Sequence, residues 1–114
     1  MFKFDQEQDG YTAELNGVEF FCDEPSEELE AEARKLSKLY WEKLPEIIGF
    51  MLPELEAIYG KQDPARLPDR LGKPTVNLTT YQISYFEQTL DGSHIIEFEY
   101  AGDFEGFDVF NIDG

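Results

Sequence analysis

The segment "YTAELNGVEFF" constrains the fold most, because it encodes a tight β-hairpin with a fixed register. At its centre is Asn16-Gly17, and these two residue types best tolerate the positive φ that a type I′ turn requires at both central positions. A two-residue loop places Leu15 opposite Val18 and fixes the pairing of the residues that flank them. One face of the hairpin is then apolar and carries Tyr11, Ala13, Leu15, Val18, Phe20 and Cys22.

The other face of this hairpin sets Glu14 directly opposite Glu19. Like charges in adjacent strands destabilise a sheet. We therefore expect this face to be open to water or to a binding partner.

The whole chain is acidic, and its charge is unevenly distributed. It has 25 Asp and Glu, 9 Lys and Arg, and a formal net charge of −16 over 114 residues. The net charge is −10 in residues 1–32, +2 in residues 33–74 and −8 in residues 75–114, which contain no Lys or Arg. Such a chain repels nucleic acid phosphates and anionic membranes. The charge thus predicts neither nucleic acid nor membrane as a partner, and it favours a basic protein partner or cations.

Composition and length predict a single domain over residues 1–114. Hydrophobic residues make up 41% and aromatic residues 15% of the chain, more than disordered chains contain. No apolar run is long enough to span a bilayer, and the first residues lack the pattern of a secretory signal. The single cysteine, Cys22, cannot form an internal disulfide. We therefore expect a cytoplasmic protein.

Two amphipathic segments follow the hairpin. The first begins at Asp23-Glu24-Pro25-Ser26, where either Asp23 or Ser26 can cap a helix, and its acids precede its bases, as the helix dipole favours. Pro45 is expected to end this helix, and a second helix, bent at Pro53, is expected to end at Gly60. The apolar stripes are Leu29, Ala33, Leu36, Tyr40 and Leu44 in the first helix, and Ile47, Ile48, Met51, Leu52, Leu55, Ile58 and Tyr59 in the second.

The last forty residues predict an antiparallel meander, after a proline-rich connector over residues 61–74 with one short helical turn. The predicted strands are Thr75–Thr79, Gln82–Gln88, His94–Ala101 and Phe107–Ile112. Asp91-Gly92 is interpreted as a second hairpin turn, which would pair Tyr85 with Phe98. Alternation then directs Ile83, Tyr85, Ile96, Phe98 and Tyr100 inward, and Ser84, Phe86, Ile95, Glu97 and Glu99 outward.

These elements predict an α+β fold: an N-terminal β-hairpin, two helices and a C-terminal antiparallel meander, with the helices packed on one face of the sheet. The sequence leaves open whether the N-terminal hairpin joins the C-terminal sheet or packs beside it.

Candidate catalytic and metal-binding residues are few. His94 is the only histidine, and general-base chemistry would need an oriented partner, a role that Asp91 could fill. A nucleophilic pair of Cys22 and His94 would require the two residues to meet in the fold. The C-terminal segment could hold Ca²⁺ or Mg²⁺, although it lacks the spacing of an EF-hand; its acids are Asp103, Glu105, Asp108 and Asp113. No catalytic residue, metal ligand or cofactor is predicted, and a small-ligand or divalent-metal site in this acidic segment remains the alternative function.

Four segments of the second half resemble a known group of proteins: Leu71–Pro74, Ile83–Phe86, Leu90–Phe98 and the closing Ile112-Asp113-Gly114. The resemblance is to small acidic bacterial α+β proteins of unknown function, some of which are suspected immunity proteins of polymorphic toxin systems. It covers residues 71–114 and rests on turns and strands. The resemblance implies a bacterial cytoplasmic binding protein and transfers no catalytic residue.

The leading functional hypothesis is a non-enzymatic, immunity-type protein that binds a basic protein partner through an acidic surface. The predicted partner-binding residues are the glutamates Glu14, Glu19, Glu97 and Glu99, with Phe86 and Ile95 as apolar anchors.

Overall fold

The computed structural model describes residues 1–113, which form one mixed seven-stranded sheet and two helices. The strands are β1 (Lys3–Asp5), β2 (Gly10–Leu15), β3 (Val18–Cys22), β4 (Thr75–Asn77), β5 (Gln82–Tyr85), β6 (Ile95–Ala101) and β7 (Gly106–Asp113). The helices are α1 (Glu27–Tyr59) and α2 (Leu67–Leu71). This architecture confirms the predicted α+β class.

The strands lie in the sheet in the same order as in the chain, from β1 to β7. Every neighbouring pair is antiparallel except β3 and β4, which are parallel and are connected through α1 and α2. The N-terminal hairpin therefore joins the C-terminal meander through the β3–β4 pair, which settles the question that the sequence left open.

The register of the first hairpin is confirmed. Glu14 lies opposite Glu19 and Leu15 opposite Val18, and the turn residues have φ values of 52° at Asn16 and 77° at Gly17. The turn is also fixed to α1, because the Trp41 indole N–H donates to the Asn16 carbonyl oxygen at 2.7 Å. Local turn chemistry and a tertiary contact thus specify the same register.

The two predicted helices are one continuous helix, α1, which contains both Pro45 and Pro53. A proline leaves the carbonyl group four residues earlier without its N–H donor. These carbonyl groups belong to Trp41 and Gly49, and both residues lie on the exposed side of α1. The break predicted at Pro45 is therefore wrong, whereas the predicted caps are confirmed: Ser26 Oγ accepts from the Leu29 N–H, and Gly60 is the C-cap.

The core lies between α1 and the face of the sheet that the alternation directs inward. The inward prediction for β5 and β6 is confirmed, since Ile83, Tyr85, Ile96, Phe98 and Tyr100 are all buried. The Tyr40 and Tyr85 hydroxyl groups are 2.8 Å apart and hydrogen-bond to each other inside this core. The buried apolar residues of α1 are Ala33, Leu36, Tyr40, Ile47, Ile48, Met51 and Leu55, and α2 adds Leu67 and Leu71.

The predicted register of the β5–β6 hairpin is wrong by two residues, because Tyr85 pairs with Ile96 and not with Phe98. Residues 86–94 form a longer loop in which Asp91 is not a simple turn residue. Its carboxylate accepts hydrogen bonds from the Tyr59 hydroxyl of α1, the Gln88 amide and the His94 N–H. A shift of two residues leaves every side chain on its predicted face.

Candidate functional site: the open face of the sheet

The face of the sheet opposite α1 carries two rows of mostly polar side chains, and we call it the open face. Neighbouring strands place the members of each row directly opposite each other. From β2 to β7 the first row is Glu14, Glu19, Thr75, Ser84, Glu97 and Asn111. From β1 to β7 the second row is Lys3, Thr12, Phe21, Asn77, Gln82, Glu99 and Asp108.

The structure brings the predicted partner-binding residues together on this face. Three of the four glutamates share the first row, and Glu99 lies in the second row. Phe86 follows β5 and is 56% exposed, and Ile95 lies at the start of β6, opposite Asp113. Strand alternation therefore sorted these six side chains correctly, although their function is not tested by their placement.

A shallow groove of about 290 Å³ runs along the centre of the open face. Short side chains form its floor, where Thr75 and Ser84 are almost fully buried between larger neighbours. Gln8, from the turn between β1 and β2, overhangs the groove and donates a hydrogen bond to Glu19 Oε1 at 3.4 Å. The groove offers hydroxyl, amide and carboxylate groups beside two aromatic rings, those of Phe21 and Phe86.

The like-charged pair of the first hairpin has a counterion. Lys73 Nζ lies 3.4 Å from Glu14 Oε1 and 3.6 Å from Glu19 Oε2, so one ammonium group bridges both carboxylates. Burial alone would lower the pKa of Lys73, but the charges of Glu14 and Glu19 outweigh this effect and raise the pKa. Lys73 stabilises a pairing that would otherwise be repulsive.

A second carboxylate pair lies at the other side of the open face, and it forms no ion pair with any of residues 1–113. Glu97 and Asp113 are diagonal neighbours on β6 and β7, and residues 75–113 contain no Lys or Arg. Burial, followed by the contact with Asp113 and its charge, raises the pKa of Glu97 above its ordinary value, while a hydrogen bond from Ser84 Oγ acts in the opposite direction. Glu97 therefore holds its proton to higher pH than an isolated glutamate would.

Sequence reasoning missed several residues of the open face. Asp108 and Asp113 follow from the alternation in β7, once its register with β6 is known. Lys73 and Gln8 have no local signal, because both reach the face through contacts between segments distant in the chain.

The catalytic candidates do not form a catalytic arrangement. His94 Nδ1 lies 2.9 Å from Asp91 Oδ2 and 3.1 Å from Ser93 Oγ, so both partners contact the same ring nitrogen and no proton relay connects them through the imidazole. Cys22 is fully buried in the core, at the opposite end of the sheet, and burial raises the pKa of its thiol. A Cys22–His94 nucleophilic pair is therefore absent.

The acidic C-terminal segment is dispersed in space. Asp103 forms an ion pair with Lys35 Nζ at 3.0 Å, whereas Asp108 and Asp113 lie on the open face. Among residues 1–113, no group of three or more His, Cys, Asp or Glu side chains is placed to hold a metal ion. Within the same residues, neither helix combines the length and apolar character needed to cross a membrane.

Comparisons of the chain with family models, with curated proteins and with solved structures find no match. The site therefore has to be interpreted from its own chemistry. Within the resemblance drawn above, Gly114 of the closing motif lies outside the described residues.

Proposed function

We propose that this chain is a non-enzymatic binding protein whose open face docks a basic protein partner. The observation that carries the proposal is the alignment of Glu14, Glu19 and Glu97 in one row, with Glu99 beside it. Carboxylates spread along one row, on β2, β3 and β6, match several cationic side chains of a partner surface better than they match one small ligand.

The charge balance of the face supports a cationic partner. The open face carries the carboxylates of the four glutamates and of Asp108 and Asp113. The ammonium groups that oppose this charge are those of Lys73 and, at the β1 edge, Lys3. A negative field of this kind speeds the encounter with a basic protein and discourages acidic ones.

Phe86 and Ile95 supply the apolar contacts that a purely charged docking surface would lack. Both lie at the same end of the face: Ile95 begins β6, the strand that carries Glu97 and Glu99, and Phe86 follows the neighbouring β5. Aromatic side chains surrounded by polar groups are typical anchors of protein interfaces. We infer that the partner contacts this end of the face first.

An immunity-type role in a bacterial cytoplasm is the more specific form of the proposal. It rests on the resemblance of residues 71–114 and on the acidic surface, because an immunity protein has to bind its toxin tightly without catalysis.

The proposal is tested by charge reversal with a matched control. E97K/E99K changes the open face by four charge units, and E42K/E54K makes the same change on exposed positions of α1. A basic protein that co-purifies with the wild-type chain, starting with the product of the adjacent gene, should associate at least about tenfold more slowly with E97K/E99K at low salt. Its association with E42K/E54K should change far less. Equal effects of the two variants would reject the open face as the docking surface.

A further inference from the structure

A second cavity, of about 340 Å³, lies at the N-terminal end of α1, beside the turns that follow β4 and β6. It shares no residue with the open face. Its lining combines carboxylates and tyrosine rings, namely Glu28, Glu32, Asp103, Tyr81 and Tyr100, with Leu78 as an apolar wall.

Tyr100 directs an unpartnered polar group into this cavity. The residue is only 6% exposed, and its hydroxyl group makes no hydrogen bond to any of residues 1–113. The hydroxyl oxygen is not sealed in the core, because the described residues contain no fully buried polar side-chain atom without a partner. Burial, and then the nearby charge of Glu32, raise the pKa of Tyr100. The hydroxyl group is neutral at physiological pH, as in any tyrosine, and its oxygen can accept a hydrogen bond.

Tyr81 places an aromatic ring at the mouth of the same cavity. Its backbone has a φ of 59°, and main-chain hydrogen bonds to Asn77 and Tyr100 hold it there. The ring is 60% exposed and meets the Tyr100 ring edge-on, with 5.9 Å between centroids. An exposed tyrosine face beside carboxylates attracts a cation through the ring quadrupole.

The carboxylates of the cavity exceed the cations that the chain supplies. Lys35 Nζ lies 3.3 Å from Glu32 Oε2 and 3.0 Å from Asp103 Oδ1, and it is the ammonium group that neutralises this side of the cavity. Glu28 forms no ion pair with any of residues 1–113. One carboxylate of the lining therefore remains without a charged partner.

We propose that this cavity binds a primary alkylammonium group, which donates N–H hydrogen bonds to the Tyr100 hydroxyl oxygen and the Glu28 carboxylate while the Tyr81 ring faces the cation and the carbon chain packs against Leu78. A quaternary ammonium has no N–H to donate to Tyr100, and a divalent metal would need a group of oxygen ligands that the carboxylates of residues 1–113 do not form. The same chemistry belongs to a free aliphatic amine and to a lysine side chain of another protein.

The first test compares two probes of similar shape by isothermal titration calorimetry on the full chain. Pentylammonium chloride should bind at least about tenfold more tightly than pentan-1-ol, since only the former offers a cation and three N–H donors. Equal affinities, or no binding of pentylammonium at millimolar concentration, would overturn the proposal.

Three variants assign the contacts. Y100F removes only the hydroxyl group, and E28Q removes only the unpaired charge; each should weaken pentylammonium binding by about threefold to tenfold. E27Q is the matched control for E28Q, because it removes the same charge from the same helix end outside the cavity. K35M should strengthen binding, since it frees Glu32 and Asp103. If E28Q and E27Q behave alike while Y100F binds as the wild type does, the assignment is wrong.

The source of the ammonium group is distinguished with a third probe, the peptide acetyl-Gly-Lys-Gly-amide. Tighter binding of the peptide than of pentylammonium indicates a protein-borne lysine, and the reverse indicates a free amine. Because the cavity and the open face share no residue, binding here is expected to be the same in E97K/E99K, whether or not the proposed docking surface is correct.

Discussion

The two halves of the open face carry the same kind of charge but stabilise it differently. In the N-terminal half, Glu14 and Glu19 share the ammonium group of Lys73, within 3.6 Å of both carboxylates. In the C-terminal half, Glu97 contacts Asp113 without a cation, and the pKa of Glu97 is raised. A sheet can therefore tolerate adjacent carboxylates either by recruiting a counterion or by retaining a proton more strongly.

This difference determines where the face can attract a partner. The N-terminal half is already partly neutralised, whereas the C-terminal half has four carboxylates and no Lys or Arg in residues 75–113. Three strand spacings, about 14 Å, separate β3 from β6, which exceeds the screening length of about 8 Å at physiological ionic strength. A partner's cations at one half are thus only weakly affected by the charge of the other.

The largest expected effect is on partner association. At physiological ionic strength, E97K/E99K should slow the association of the basic partner by about tenfold or more, and E14K/E19K by about threefold, because the partner's cations approach the half without a counterion. Stopped-flow association rates for both variants, with the E42K/E54K control, measure the difference. An equal or greater slowing with E14K/E19K would show that the two halves contribute alike.

The next effect is on stability and concerns Lys73. K73M keeps most of the aliphatic side chain but leaves Glu14 and Glu19 facing each other without a counterion, so the free energy of unfolding should fall by about 0.5–1 kcal/mol. Urea denaturation at pH 7 measures this change. Adding E14Q to K73M should restore most of the loss, because one of the two repelling charges is gone.

The control for this variant is K61M, which removes a lysine that forms no ion pair with any of residues 1–113. Its stability should be close to that of the wild type. A loss in K61M equal to that in K73M would indicate an effect of net charge and not of the local pair.

The accuracy of the sequence predictions differs between the two hairpins for a physical reason. The Asn16-Gly17 register was predictable because the turn conformation is local and α1 reinforces it. The Asp91-Gly92 register was not, because Asp91 is held by Tyr59 of α1 and by Gln88. These contacts exist only after the helix has packed on the sheet. The faces of the strands were still predicted correctly, since alternation does not change when a register shifts by two.

Two other features differ in whether the sequence contained a signal for them. The sequence does contain a signal for the continuity of α1, because the apolar positions Tyr40, Leu44, Ile48 and Met51 keep helical spacing across Pro45. The parallel pairing of β3 with β4 had no local signal, since more than fifty residues separate the two strands. The position of Lys73 between Glu14 and Glu19 depends on that pairing, so this part of the site required the structure.

The smallest expected effect concerns the proton held by Glu97. A carboxyl whose pKa is raised on folding binds its proton more tightly in the folded state, so it destabilises the protein when ionised, and stability rises as the pH falls through the raised pKa. E97Q cannot ionise, and it should therefore raise the free energy of unfolding at pH 7, by less than about 0.5 kcal/mol for this partly exposed position. It should also remove the stability that the wild type gains through this group as the pH falls from neutral toward 4.5, the ordinary pKa of a glutamate.

D113N should act in the same direction, and E97Q/D113N should stabilise by less than the sum of the two single variants, because both relieve one repulsion. Thermal melts from pH 4.5 to pH 7 measure all three variants; strictly additive effects would mean that Glu97 and Asp113 do not interact, and the two halves of the face would then differ only in the presence of Lys73.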